Sequence, residues 1–409
     1  MRYAHIVGWG KHTPDRVMAN EELATLVDTS DAWIRERTGI GQRHMAGPKD
    51  TCTSLAAAAA LEALDVANIT AAQVGLIIVA TSTPDYTFPA TACLVQDALG
   101  ADNAGAFDLS AACSGFVYAL SMAADAIKAG SVDYALVIGA DLMSRIVDWK
   151  DRGTCVLFGD GAGAVVLQAS DQPGGLLTSV LRADGSGGDM LYVRNSYRDN
   201  PVMMMPHMTA TPTPAPAEGR LSEVGYIYMN GREVYRFGAR ILAGATREVS
   251  AKAGWEIDDI DLVIPHQANS RIIDAAAKSL SMSMDKFFCN IEYYGNTSAA
   301  SIPIAICDAV NSGRLRPNDK LVMVGFGAGL TWASAAMQWG TPRVLSRTNR
   351  TLNRVRIGLA NVRSRARRVF RRVEDNLLGN GENHVKPQPA PNHNGASAPE
   401  AETEHDSRA

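Results

Sequence analysis

A stretch that returns after a fixed interval constrains a fold more than any single motif, and this chain contains one. Ile69-Thr-Ala-Ala-Gln-Val-Gly-Leu-Ile-Ile-Val79 resembles Ile257-Asp-Asp-Ile-Asp-Leu-Val-Ile-Pro265, and the apolar strand that ends at Gly139 resembles the one that ends at Gly325. Both pairs stand about 186–188 positions apart, as expected of two similar units joined in tandem. The same offset carries Cys113 onto the small-residue stretch Thr297-Ser-Ala-Ala-Ser301. Two matching halves would set two strand-to-helix junctions facing each other.

Each unit alternates strand and helix. Val74-Gly-Leu-Ile-Ile-Val-Ala80, Tyr134-Ala-Leu-Val-Ile-Gly139 and Leu321-Val-Met-Val-Gly325 are continuous apolar runs of the kind found in strands buried on both faces. Helical patterns such as 55–64 and 115–129 lie between them, so an α/β fold with central sheets covered by helices is expected. At 409 residues and 46% hydrophobic, the chain is long enough for two or three domains or one duplicated unit. Near the start, Tyr3 to Gly8 reads as a strand and Thr29-Ser-Asp-Ala-Trp33-Ile-Arg-Glu-Arg37 as a helix capped by Ser or Thr. Trp33 and Arg37, at i and i+4, share a face that suits gripping a flat or anionic group, or equally a core tryptophan beside a solvated arginine.

Several function classes fall away. No run of 18 apolar residues occurs, and the N-terminus enters a strand without a signal-peptide core, so the chain reads as cytoplasmic. The six cysteines are scattered, with no Cys-x-x-Cys pair and no clustered histidines, so neither zinc nor a disulfide framework is expected. Phe158-Gly-Asp-Gly-Ala-Gly163 is followed by a strand, whereas a dinucleotide loop needs a helix there, and it reads as a tight structural turn. The Pro-, Met- and Thr-rich segment 194–224 reads as a long loop.

Candidate chemistry collects at strand-to-helix junctions. In Asp108-Leu-Ser-Ala-Ala-Cys113-Ser-Gly-Phe, small residues deliver one cysteine to a helix start, where unpaired N–H groups and the macrodipole favour a thiolate. A buried, inert cysteine in a tight turn is the plain alternative. Asp261-Leu-Val-Ile-Pro-His266-Gln-Ala-Asn269 ends a second strand on a histidine, with Asn269 placed to open the helix 270–280. Asn290-Ile-Glu-Tyr-Tyr-Gly295-Asn296 sets Asn296 at a third junction, and Gly325-Phe-Gly327-Ala328-Gly329 is a turn whose N–H groups suit an oxyanion hole.

With these residues in view the chain resembles the β-ketoacyl-acyl carrier protein synthase III family, condensing enzymes of the thiolase superfamily that initiate bacterial fatty-acid synthesis. The resemblance runs from residue 1 to about 340 and rests on Val27-Asp-Thr-Ser-Asp-Ala-Trp-Ile, Ala112-Cys113-Ser-Gly-Phe, Phe158-Gly-Asp-Gly-Ala-Gly, Pro265-His266-Gln-Ala-Asn269 and Gly295-Asn296-Thr-Ser-Ala-Ala-Ser. It implies a five-layer α-β-α-β-α fold of two similar halves, 1–175 and 176–340, and a homodimer. It implies that Cys113 is acylated by acyl-CoA and that His266 and Asn296 act on malonyl-acyl carrier protein, with no cofactor or metal. By the same resemblance the N–H groups of Cys113 and Ala328 hold the oxyanion; Trp33, Arg37 and Arg152 hold the CoA nucleotide; and Asn269 lines the pantetheine channel. Phe88 closes the acyl pocket, in relatives from the other subunit, and Arg236, Arg271 and Lys278 face the acidic carrier protein. The alternative within the same fold is an acyltransferase or condensing enzyme of secondary metabolism; a non-catalytic partner subunit is disfavoured by the complete Cys, His and Asn set.

The C-terminal arm lies outside the resemblance. Residues 343–375 carry eleven arginines against Glu374 and Asp375, whereas residues 1–342 are strongly acidic. Leu352, Val355, Leu359, Val362, Ala366, Val369 and Val373 step by 3 and 4, so a basic amphipathic helix is expected within 341–378 and a disordered tail over 379–409. Docking on the enzyme or in a coiled coil, lying on an anionic membrane surface, and recruiting an acidic partner are the three uses such a helix has. No nucleic-acid partner is expected.

Overall fold

The strands and helices follow from where the apolar runs sit. In this computed structural model the described residues are 1–194, 225–340, 362 and 366. The expected loop beyond Arg194, the arm helix as a whole and the tail lie outside them. The first half contains β1 (Tyr3–His12), β2 (Val17–Ala19), α1 (Asn20–Leu23), α2 (Asp31–Thr38), β3 (Gln42–His44), α3 (Cys52–Ala67) and β4 (Leu76–Ala80). It continues with α4 (Thr91–Leu99), β5 (Gly105–Leu109), α5 (Gly115–Lys128), β6 (Tyr134–Leu142), α6 (Arg152–Cys155) and β7 (Asp160–Ser170). The second contains β8 (Gly175–Ala183), β9 (Leu191–Val193), β10 (Ile227–Met229), α7 (Gly231–Lys252), β11 (Leu262–Pro265) and α8 (Ser270–Leu280). It closes with α9 (Ile291–Tyr294), α10 (Ser301–Asn311), β12 (Lys320–Gly327) and β13 (Thr331–Gln338). All these elements belong to one compact unit, Met1–Ser364.

The repeat has a direct structural expression. The first sheet runs β1-β7-β6-β4-β5 and the second runs β8-β13-β12-β11, the same order with the last strand missing. In place of that strand, Phe287 makes a single parallel bridge to Val263. In both sheets the corresponding pair is parallel (β4 with β6, β11 with β12) and the next two pairings are antiparallel. The central strands are buried along nearly their whole length, as their unbroken apolar sequence requires.

Helices α5 and α10 lie between the sheets, each touching strands of both. Their alanine- and isoleucine-containing, largely apolar sequences are buried almost all round because both faces meet a sheet. Helices α3 and α4 cover the first sheet, and α7, with α8 against it, covers the second, which makes five layers. Two glycines set how close the halves come. A Cβ on Gly139 of β6 would stand 2.1 Å from the Ala299 carbonyl oxygen, and one on Gly325 of β12 would stand 2.9 Å from Ser114 Cα. Each half's junction therefore rests on the other half's central strand, which brings the two junctions together.

Candidate active site

A cavity of about 580 Å³ opens where the junctions meet, and Cys113, His266, Asn296, Ser298 and Ala328 all line it. Cys113 sits in a 3-10 turn, Ala112–Ser114, that runs directly into α5. Ala112 before it holds φ at 46°, a left-handed conformation that L residues other than Gly, Asn and Asp adopt at a cost. Cys113 is 8% exposed, and its Sγ donates to Ser298 Oγ at 3.4 Å. The helix-start placement agrees with the sequence, but the resting thiolate expected from it does not follow. Burial pushes the Cys113 thiol up to about 12, against the downward pull of Ser298 and a backbone N–H, so the group rests protonated.

His266 follows β11, with its backbone N–H donating to Val324 O at 2.8 Å. Its Nδ1 is 2.7 Å from Ser301 Oγ and its ring stands edge-on to Phe326, with centroids 5.2 Å apart. Burial pushes the imidazole down to about 3, so the ring is neutral. Asn296 is held from both sides by the Phe158 region: its N–H donates to Leu157 O at 2.8 Å and its carbonyl accepts from Gly159 N–H at 3.1 Å. Its Oδ1 accepts from the Ser298 N–H at 2.8 Å, which commits the oxygen and turns the amide NH₂ away from that contact. The motif read as a tight turn is thus a parallel bridge from Phe158 to Asn296 followed by the first residues of β7. Its glycines admit neighbouring backbone: a Cβ on Gly159 would stand 2.3 Å from Tyr294 O.

Sequence reasoning missed Ser298, Ser301 and Asp141. The two serines lie in the stretch that the repeat aligns with Cys113, and Asp141 is a charged residue near the end of an otherwise apolar strand. Those were the available signals.

Known proteins resemble this chain in sequence and in fold. Residues 107–185 match the family model described as 3-oxoacyl-[acyl-carrier-protein (ACP)] synthase III, and residues 250–339 match that of its C-terminal part. The β-ketoacyl-[acyl-carrier-protein] synthase III of Roseiflexus sp. (strain RS-1) is 48% identical over 339 residues, 82% of this chain and 98% of that protein. The chain belongs to the β-ketoacyl-[acyl-carrier-protein] synthase III family. The enzyme of that name from Symbiobacterium thermophilum is also 48% identical, over 83% of this chain and 99% of its own length. The crystal structure of 3-oxoacyl-[acyl-carrier-protein] synthase III from Aquifex aeolicus aligns with a TM-score of 0.74 at 44% identity, covering 82% of this chain and all of that one. The fold is therefore the α/β thiolase-like fold of synthase III enzymes.

The remaining synthase III positions are distributed as follows. Ser30 caps α2 by accepting from Trp33 N–H at 3.2 Å, as the sequence suggested. The partner of Trp33, however, is Arg152, whose guanidinium lies 4.6 Å from the ring centroid. Arg152 Nη1 also donates to Asp28 O at 2.8 Å. Arg37 is exposed, and its carbonyl accepts from Asn269 Nδ2 at 3.0 Å. Asn269 lines the cavity while its Oδ1 caps α8 through Arg271 N–H at 2.9 Å. Ala328 stays out of the left-handed region, which Gly329 occupies instead with φ 134°, so an alanine is tolerated there. Phe88 is 85% exposed and does not line its own chain's cavity. Arg236 on α7 and Arg271 and Lys278 on α8 are exposed on adjoining helices; Arg236 pairs with Glu233 at 2.8 Å and Arg271 lies over Tyr235. Among the described residues no cluster of His, Cys, Asp and Glu could hold a metal ion, and no helix is long and apolar enough to cross a membrane.

Proposed function

We propose that this synthase III condenses an acyl-CoA primer with malonyl-acyl carrier protein, with loss of carbon dioxide, to give a 3-oxoacyl-acyl carrier protein that starts fatty-acid synthesis. The observation that carries the reading is that Cys113, His266 and Asn296, from three separate junctions, line one cavity. Cys113 Sγ attacks the acyl-CoA thioester carbon, and the N–H groups of Cys113 and Ala328 receive the oxyanion. Collapse expels CoA and leaves the acyl group on sulfur. Malonyl-acyl carrier protein then enters, and loss of carbon dioxide puts negative charge on the thioester oxygen.

That enolate needs donors, and a neutral histidine is one if its proton is on the side facing the cavity. With the Ser301 hydroxyl, which accepts from Gln267 N–H at 3.4 Å, donating its hydrogen to His266 Nδ1, the ring proton sits on Nε2. His266 Nε2–H and the Asn296 amide then stabilise the enolate, its carbon attacks the acyl-cysteine, and Cys113 departs. Trp33, Arg37 and Arg152 grip the CoA nucleotide, and Asn269 borders the pantetheine. Arg236, Arg271 and Lys278 meet the acidic carrier protein. In a homodimer, Phe88 reaches the acyl end of the second copy's site. The enzyme works in the cytoplasm.

Separated half-reactions test this. His266→Ala and Asn296→Ala should each gain the acyl mass from acyl-CoA yet fail to release carbon dioxide from malonyl-acyl carrier protein. Normal decarboxylation in either variant would refute the donor roles.

A further inference from the structure

The established chemistry leaves one question of protons open: Cys113 rests as a thiol, and the structure gives its sulfur the Ser298 hydroxyl as hydrogen-bond partner, at 3.4 Å. Behind Ser298 stands Asp141, fully buried at the end of β6, held against the Ser298 turn by the N–H of the next residue, Ala299, with the Ser298 hydroxyl favouring its ionised form. Its Oδ1 accepts from Thr81 Oγ1 at 3.1 Å, Ser82 N–H at 2.7 Å and Thr83 Oγ1 at 2.9 Å, and its Oδ2 accepts from Ala299 N–H at 3.1 Å. None of these partners is a cation. A buried carboxylate without a counter-ion is costly, and this one is held by hydrogen-bond donors alone, which leaves it a group that can take up a proton.

We propose that Ser298 and Asp141 carry away the Cys113 proton during acylation: the thiol hydrogen passes to Ser298 Oγ as the Ser298 hydroxyl hydrogen passes to the Asp141 carboxylate. The inference rests on Cys113 being the nucleophile. The S–H bond breaks as the new C–S bond forms, and Asp141 becomes a carboxylic acid. When the adduct collapses, the proton returns through Ser298 to the departing CoA sulfur, which leaves as a thiol. Asp141 is again a carboxylate, and no co-reactant is needed. Burial raises the affinity of Asp141 for that proton, opposed chiefly by its hydrogen bond with Ser298. His266, neutral and tied to Ser301, stays free to act as a donor in the malonyl step. The repeat explains the placement: Ser298 holds φ at 51° where Ala112 holds 46°, the same turn in the other half.

Other titratable groups near the path are Cys52, whose Sγ is 3.4 Å from Thr81 Oγ1, and Asp85 and Asp108, which act on Cys52 and are bound by the N–H groups of Cys52, Thr53, Thr91 and Ala92. Burial holds the Cys52 thiol far above its ordinary range, so it stays neutral throughout the test.

The test is single-turnover acylation by acetyl-CoA, followed by intact mass from about pH 6 to about pH 10 in wild type, Ser298→Ala, Asp141→Asn and Cys113→Ala. Wild type should be nearly flat above neutrality. Ser298→Ala should be about 100-fold slower at neutral pH and gain about tenfold per pH unit as hydroxide replaces the path, so that its deficit closes. Asp141→Asn should show the same slope; if it does not fold, Ser298→Ala decides alone. A Ser298→Ala profile that coincides with wild type, or a deficit of equal size at every pH, overturns the path. Acylation of Cys113→Ala would instead overturn the nucleophile on which the path rests.

Discussion

Replacing His266 by glutamine should flatten the acid side of the stability profile. In the folded chain burial holds the imidazole at about 3, whereas the free side chain titrates near 6.5. Below 6.5 the unfolded chain therefore takes up a proton that the folded chain refuses. Stability is unaffected by this group above 6.5, falls as pH drops below it, and levels off near 3. Each pH unit in that window costs about 1.4 kcal/mol, so going from about pH 7 to about pH 5 removes roughly 2 kcal/mol through His266 alone. Asp141 and Asp160, raised by burial, act in the opposite sense, but equally in both proteins. Urea unfolding at both pH values, at fixed protein concentration, measures the difference of differences. Wild type should lose roughly 2 kcal/mol more than His266→Gln with unchanged denaturant slopes. Parallel losses would mean that His266 is not held neutral, and its assignment as a donor rather than an acid would fail with it.

Three further outcomes follow from the packing. Gly139→Ala should destabilise by ~3 kcal/mol or more, because its Cβ meets the Ala299 backbone at 2.1 Å and nothing there is a flexible side-chain end; a thermal midpoint equal to wild type would contradict the close approach of the halves. Gly325→Ala, at 2.9 Å from Ser114 Cα, should cost ~1–3 kcal/mol and also slow acylation by displacing the Cys113 turn, so normal acylation kinetics would count against that packing. Arg152→Ala should raise the KM for acyl-CoA several-fold with little change in kcat if, as proposed, the Arg152–Trp33 stack grips the CoA nucleotide, a remote part of the substrate; equal losses in both half-reactions would remove Arg152 from the nucleotide site.

Much of the frame was legible because it depends on local pattern. The apolar runs of β4, β6 and β12 and the helix opened by Asn269 need only sequence neighbours to be recognised, and the repeat then placed one junction opposite the other. What sequence reasoning could not reach depends on pairing between distant positions. Arg152 stacks on Trp33 from 119 positions away, where the i, i+4 spacing had pointed to Arg37. Ser298 and Asp141 converge on Cys113 from different halves, so neither carries a local mark. The protonation state of Cys113 was misjudged for a related reason: a helix start can be read from sequence, whereas the burial that outweighs it belongs to the assembled halves.

The most direct measurement is peptide-mapped mass spectrometry of the protein after acyl-CoA, and again after malonyl-acyl carrier protein. One acyl group is expected on the peptide containing Cys113, discharged in the second step with 3-oxoacyl-acyl carrier protein as the product. An acyl group on any other residue, or one on Cys113 that malonyl-acyl carrier protein leaves in place, would contradict that expectation.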